Sequence, residues 1–207
     1  MNMYHLSSHW RVEGTCGEVA DVLDDPMALP RWWPSVYLES EELEPPDESG
    51  AGRRVRLRTR GILPYTISWE LVVVEKRYPH GLTIDATGDF VGRGVWTFTQ
   101  NGRFVDMVYD WRISGEKPLF KLLTPVLRPA FEANHRWAMR QGEESLKLEL
   151  ARRRATSHAA RLAIPPPPGP VTYAAVALIG GAAVVGGTLA YLLVRARRNK
   201  RKDDGPA

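Results

Sequence analysis

Through the middle of this chain apolar and polar residues alternate one for one, and a period of two belongs to strands with one buried face. The run RRVRLRTR, Arg53 to Arg60, sets Val55, Leu57 and Thr59 on one side and Arg54, Arg56, Arg58 and Arg60 on the other. In YTISWELVVVE, Tyr65, Ile67, Trp69, Leu71 and Val73 fall together. In FVDMVYDWRI, Val105, Met107, Tyr109, Trp111 and Ile113 do the same, opposite Asp106, Asp110 and Arg112. GLTIDATG aligns Leu82, Ile84 and Ala86, and GRGVWTFTQ aligns Trp96 with Phe98. Asn101-Gly102, between two such runs, is a strong hairpin signal. With HLSSHWRVEG and SVYLESEEL added, the pattern predicts about seven strands. Their connections are too short for parallel crossovers, so the sheet is expected to be mostly antiparallel. The arginine row reads as a solvated strand face rather than a docking surface for anionic lipid.

Helical signals bracket the strands. In TCGEVADVLDDP, Thr15 is a candidate N-cap with Glu18 three residues on, Val19, Val22 and Leu23 follow at helical spacing, and Pro26 ends the run. PRWWPSV then places Trp32 and Trp33 at the close of a short helical segment, and Pro34 fixes the turn into a strand. Near the far end Phe131, His135, Ala138, Met139, Gly142, Leu146 and Leu150 recur at intervals of three and four, which predicts a long amphipathic helix starting near Pro129. PLFKLLTPVL reads as a separate, shorter helix before it.

An antiparallel sheet of this length curls, and only the long helix is large enough to cover its apolar face. The fold class is therefore α+β, a curved antiparallel sheet around a long C-terminal helix. A cavity is expected between the two, lined by Tyr65, Trp69, Trp96, Tyr109 and Trp111 from the strands and by Phe131, His135 and Met139 from the helix. Trp33 is assigned to core packing and to the cavity mouth. The segments HWRVEGTCGEVADVLDDPMALPRWWPSV, GDFVGRGVWTFTQ and VYDWRISGEKPLFKLLTPVLRPAFEANHRWAMRQGEESLKLEL, over about residues 5 to 150, together resemble the SRPBCC superfamily of helix-grip proteins. Within it they resemble the polyketide cyclase/dehydrase and lipid transport branch, related to the START and birch-pollen-allergen folds. The resemblance implies a helix-grip fold and a hydrophobic ligand, lipid-like or polyketide-like. It admits a binding protein and, as the alternative, a cyclase- or aromatase-like enzyme using the same cavity. Binding is preferred, because the aligned cavity residues are overwhelmingly aromatic and aliphatic.

Few groups offer chemistry. His135 and Tyr109 are the catalytic candidates, with Tyr65 a further polar group for the cavity, since an imidazole or phenol on an apolar wall has a readily shifted pKa. Cys16, the single cysteine, lies near a helix N-terminus that can lower a thiol pKa, but no motif sets a base beside it, and it is read as structural. His5, His9, His80, His135 and His158 lack metal-ligand spacing, so no metal is expected. GDFVGRG lacks the lysine and the strand-to-helix setting of a phosphate loop and reads as a glycine-rich bend between strands, so no cofactor is expected either.

The C-terminal part has a different character. Val171 to Val194 contains no charged residue, and as a helix of 24 residues it would span about 36 Å at roughly 1.5 Å per residue, enough for a bilayer core. Tyr173 and Tyr191 lie near its ends, and arginines begin directly after it. It is predicted to be a single transmembrane helix. Small residues four apart, such as Ala177 and Gly181 or Ala182 and Gly186, would let two such helices pack weakly together. The chain carries 28 basic and 24 acidic residues; the tail 195–207 holds six of the former and two of the latter, leaving 22 of each before it. The basic surplus thus flanks an apolar segment, which points to a membrane and not to nucleic acid. IPPPPGP, upstream, reads as a stiff polyproline spacer. The expected organisation is a helix-grip domain over 1–154, a basic and proline-rich linker over 155–170, the membrane helix over 171–194 and a basic tail over 195–207. Two signals for orientation conflict: the dense cluster after the helix favours a cytoplasmic C-terminus, whereas MNMYHLSSHWRVEG has no apolar run to export the domain. Arg152 to Arg154 and Arg161 add positive charge on the domain side, and a cytoplasmic domain is expected.

Overall fold

The alternating runs do pair into one sheet. The structure is a computed structural model that describes residues 3–115 and 118–171. The strands are β1 (Met3–Glu13), β2 (Tyr37–Glu44), β3 (Arg54–Arg60), β4 (Thr66–Arg77), β5 (Gly81–Gly88), β6 (Phe90–Asn101) and β7 (Phe104–Gly115). They form a single antiparallel sheet in the order β1-β7-β6-β5-β4-β3-β2. Gly102, with φ +60°, turns the β6–β7 hairpin where the Asn-Gly pair predicted it.

Between β1 and β2 lie α1 (Cys16–Leu23), a 3-10 turn over Pro26–Ala28 and α2 (Leu29–Trp32). The capping box forms as read: the Thr15 hydroxyl accepts from the Glu18 amide at 3.2 Å, and the Thr15 amide donates to Glu18 Oε2 at 2.8 Å. The long helix α3 runs Pro118–Arg154, and α4 (His158–Leu162) is a short exposed helix capped by Ser157 inside the predicted linker. The separate helix expected over PLFKLLTPVL is thus corrected: one 37-residue helix passes through Pro125 and Pro129. A proline removes only its own i→i−4 bond, and a helix that remains bonded on either side can continue through it.

Val12, Val55, Leu57, Trp69, Ile84, Trp96, Val105 and Met107 from the sheet meet Val19, Val22, Trp32 and Trp33 from the corner and Met139, Leu146 and Leu150 from α3. Two ion-pair clusters, one on a buried carboxylate and one at the surface, bind the end of α3 to that corner. Glu149, 2% exposed, receives both guanidinium nitrogens of Arg31 at 2.9 and 2.8 Å and Nε of Arg153 at 3.1 Å. Arg154 donates to Glu18 at 2.6 and 2.9 Å and to the Glu13 carbonyl at 2.9 Å. Arg153 and Arg154, counted from sequence among charges flanking the membrane segment, are therefore ion-paired within the domain. The arginine row of β3 is neutralised too, Arg54 by Glu44, Arg56 by Glu41 and Glu70, and Arg58 by Glu39.

The compact unit containing the sheet ends at Pro170. Among the described residues no helix is long and apolar enough to cross a membrane. The predicted transmembrane helix, Val171 to Val194, lies outside the described residues from 172 onward, as do the helix self-association and the basic tail expected with it.

Candidate functional site: an apolar cavity under the double-tryptophan corner

One face of the sheet carries a continuous aromatic row. Trp33 meets Trp10 at 5.5 Å between ring centroids, Trp10 meets Trp96 at 5.0 Å, and Trp96 stacks on Tyr109 at 4.4 Å. Tyr109 stacks in turn on Trp111 at 5.5 Å, and Trp111 reaches Trp69 at 6.2 Å and Phe90 at 5.7 Å. Glycine is required beside this row. A Cβ on Gly94 would stand 2.5 Å from the Tyr109 hydroxyl and 2.8 Å from Trp111 Cε3. Gly92 and Gly94 lie inside β6, so the expected glycine-rich bend is confined to Gly88–Asp89, and the inner glycines clear room for side chains of β7.

Under the corner lies a cavity of about 150 Å³. Its roof is Leu23, Pro26, Leu29 and Trp33, its floor Trp69, Leu71, Val73, Leu82, Ile84, Trp96 and Tyr109, and Tyr37 and Met139 close two sides. Asp24, Arg53 and Lys76 stand on the solvent side, where Lys76 pairs with Asp24 at 2.6 Å and Arg53 donates to the Asp24 carbonyl at 2.8 Å.

The structure therefore brings together Trp33, Trp69, Trp96, Tyr109 and Met139 of the residues nominated from sequence. Trp111 is buried but belongs to the aromatic row behind the wall, and Tyr65, Phe131 and His135 are half-buried outside the lining. Among the described residues the cavity lies mainly beneath the α1–α2 corner and not, as expected, beneath α3, because α3 packs along β1 and contributes only Met139. Gly142 explains that approach, since its bare backbone rests against the Trp33 indole.

Tyr37, Leu71 and Ile84 were not nominated. Leu71 and Ile84 sit in alternation phases that marked them as inward-facing. Tyr37 shares its phase with Glu39 and Glu41, and a register shift between Tyr37 and Glu39 reverses it into the cavity wall. A bulge is invisible to a count of two.

The titrating groups argue against acid-base catalysis by the histidine. His135 Nε2 lies 3.0 Å from the Ser8 hydroxyl between α3 and β1, and burial, with Arg136 nearby, pushes its pKa down to about 4. Burial pushes the Tyr109 phenol well up, reinforced by Tyr37, whose own phenol is raised by burial, and pushes Tyr65 up to about 12. The Cys16 thiol is also raised by burial, the reverse of what a helix N-terminus alone would do. Among the described residues no three His, Cys, Asp or Glu side chains converge as a metal site. The arrangement can enclose an apolar ring and donate neutral hydrogen bonds to it.

Comparison with known proteins agrees with this architecture. The Zhui aromatase/cyclase from Streptomyces sp. R1128 superposes with a TM-score of 0.62 at 16% identity, over 76% of this chain and 99% of its own. A protein of Thermus thermophilus superposes with a TM-score of 0.59 at 16% identity, over 73% of this chain and all of its own, 100%. The di-domain aromatase/cyclase BexL of the BE-7585A biosynthetic pathway gives 0.51 at 17% identity, over 70% of this chain and 49% of its own. At these identities the likeness is one of fold. No curated protein sequence matches the chain. The family profile described as polyketide cyclase / dehydrase and lipid transport matches residues 3–151, nearly the whole of the sheet, corner and long helix, and the chain belongs to that family.

Proposed function

We propose that this protein holds a hydrophobic small molecule, a polyketide-like or lipid-like ring system or part of one, in the cavity beneath Trp33. The observation that carries the reading is the cavity itself: about 150 Å³ of space walled by tryptophan, leucine, isoleucine and tyrosine and open on one side, with its charged groups confined to that solvent side and ion-paired there. An apolar cavity of roughly that size accepts a benzene-sized guest. Apolar surface buried on binding contributes about 25 cal/mol per Å². A C-terminal anchor over Val171 to Val194, supported by its uncharged sequence, would keep the site beside the membrane from which such molecules partition. Cyclase-like catalysis is the second reading, and it rests on Tyr109, which of the two catalytic candidates is the one in the cavity wall.

Purified full chain is to be examined by native mass spectrometry for a co-purifying apolar molecule, beside an Ile84→Trp variant that fills the cavity. A bound molecule in the native chain, absent from the variant, is expected. A clean mass for both, persisting after incubation with lipid and polyketide extracts, overturns the reading. Membrane association is read separately by alkaline extraction of membranes bearing the full chain and a chain ending at Pro170: only the former should resist extraction, and equal release of both removes the anchor.

A further inference from the structure

The cavity wall contains two phenols that the protein does not use. Among the described residues no hydrogen bond reaches the hydroxyl of Tyr37 or of Tyr109, although Tyr109 is only 8% exposed and both side chains line the cavity. Polar groups inside folded proteins are paired in nearly all cases, so two phenols on the wall of one cavity without a partner in the protein require an explanation. The neighbouring Trp69 shows the ordinary case: its Nε1 donates to Thr59 Oγ1 at 3.2 Å.

These groups are also held in place. Tyr109 is stacked between Trp96 at 4.4 Å and Trp111 at 5.5 Å, and its hydroxyl occupies the space that Gly94 leaves open. Tyr37 stands edge-on to Trp33 at 5.1 Å. A donor fixed by packing loses little freedom when it binds, which is the condition for a specific polar contact in an apolar pocket.

The charge distribution narrows the partner. Past the rim the lining is neutral, and at the rim Lys76 is matched by Asp24 at 2.6 Å and Arg53 by Glu42 at 3.0 Å. A carboxylate or phosphate driven into this space would lose its hydration with no free cation to replace it. A neutral oxygen meets no such cost. Burial keeps both phenols protonated across the physiological range, so they act there as donors.

We infer that the cavity selects an uncharged, ring-sized molecule bearing a carbonyl oxygen, to which the hydroxyls of Tyr37 and Tyr109 donate hydrogen bonds while the ring lies against Trp96 and Ile84. This rests on the ligand-binding reading above and adds to it the polarity of the ligand and the residues that recognise it.

The test uses three probes of one shape: acetophenone, α-methylstyrene, in which a methylene replaces the carbonyl oxygen, and benzoate. Each is titrated calorimetrically into the full chain and into the Tyr37→Phe and Tyr109→Phe variants. Acetophenone and α-methylstyrene should bind the native chain and benzoate should not. In each variant the affinity for acetophenone relative to α-methylstyrene should fall about 3- to 10-fold, the loss of one neutral hydrogen bond. Retained α-methylstyrene binding shows that the variant's cavity is intact. An affinity ratio unchanged in both variants, or benzoate binding tighter than acetophenone, overturns the inference and leaves apolar binding standing. If neither neutral probe binds the native chain, the binding reading falls as well.

Discussion

Replacing Gly142 by alanine should destabilise this protein, although the same change in an exposed helix is favourable. The added methyl would stand 2.6 Å from Cε2 and Cη2 of Trp33. Trp33 is 5% exposed and cannot withdraw, because Trp10 and Trp32 lie 5.5 Å from it and Tyr37 5.1 Å. Helix propensity favours alanine over glycine by about 1 kcal/mol. Overpacking a well-filled core costs about 1–3 kcal/mol. The balance is a net loss of up to about 2 kcal/mol, and each kcal/mol lowers the midpoint by roughly 2–4 °C for a protein of this size. Urea unfolding followed by tryptophan fluorescence measures it. The decisive control is the same substitution in a Trp33→Leu background, where the clash is absent and propensity alone should stabilise by about 1 kcal/mol. If Gly142→Ala by itself raises stability by that amount, the close packing of α3 on the corner is wrong, and with it the position of the cavity roof.

Other consequences follow from the ion pairs and the buried titrating groups. Glu149→Gln should cost about 1–3 kcal/mol in denaturant unfolding, since Arg31 and Arg153 lose a shared carboxylate but remain partly solvated, and the loss should shrink in high salt. Acid should weaken the fold in two stages. His135 is held down to about 4, so between its ordinary 6.5 and about 4 the unfolded chain binds a proton that the folded chain refuses; stability falls across that window by at most about 3 kcal/mol, and His135→Gln should flatten it. Overlapping the acid end of that window, Glu18, held down to about 2 chiefly by the Arg154 hydrogen bond, contributes stability that is present above its ordinary 4.5 and lost as pH falls toward 2. Cys16, buried and with its thiol raised, should react with a disulfide reagent at the rate of unfolding rather than as a fast surface thiol, and rapid labelling in the native state would contradict its placement.

Much of the fold was legible because it rests on local regularities. The inward faces of β3 to β7 follow from a count of two, α1 from its capping box, and the β6–β7 hairpin from Asn101-Gly102. What could not be read depends on tertiary placement. Pro125 and Pro129 look like stops to any local rule, yet α3 continues through both. Tyr37 was hidden by a shift of one residue in β2, and Glu149 by its charge, which marks a wet face until Arg31, 118 residues distant in sequence, is known to meet it. Among the described residues the cavity stands on the aromatic face of the sheet, beneath the α1–α2 corner rather than beneath α3. That placement depends on how closely α3 approaches β1 and the corner: the helical spacing marks Gly142 as inward-facing, but its contact with Trp33 is decided only in space.

The most direct measurement is crystallographic xenon binding, which asks whether the apolar space exists without any knowledge of the ligand. Xenon enters dry apolar cavities of this size. Crystals of the native protein under xenon pressure should show one ordered atom between Trp33, Trp96 and Ile84, and crystals of Ile84→Trp should show none there. No xenon at that position in the native protein, or equal occupancy in both, would contradict the ligand site on which this account depends.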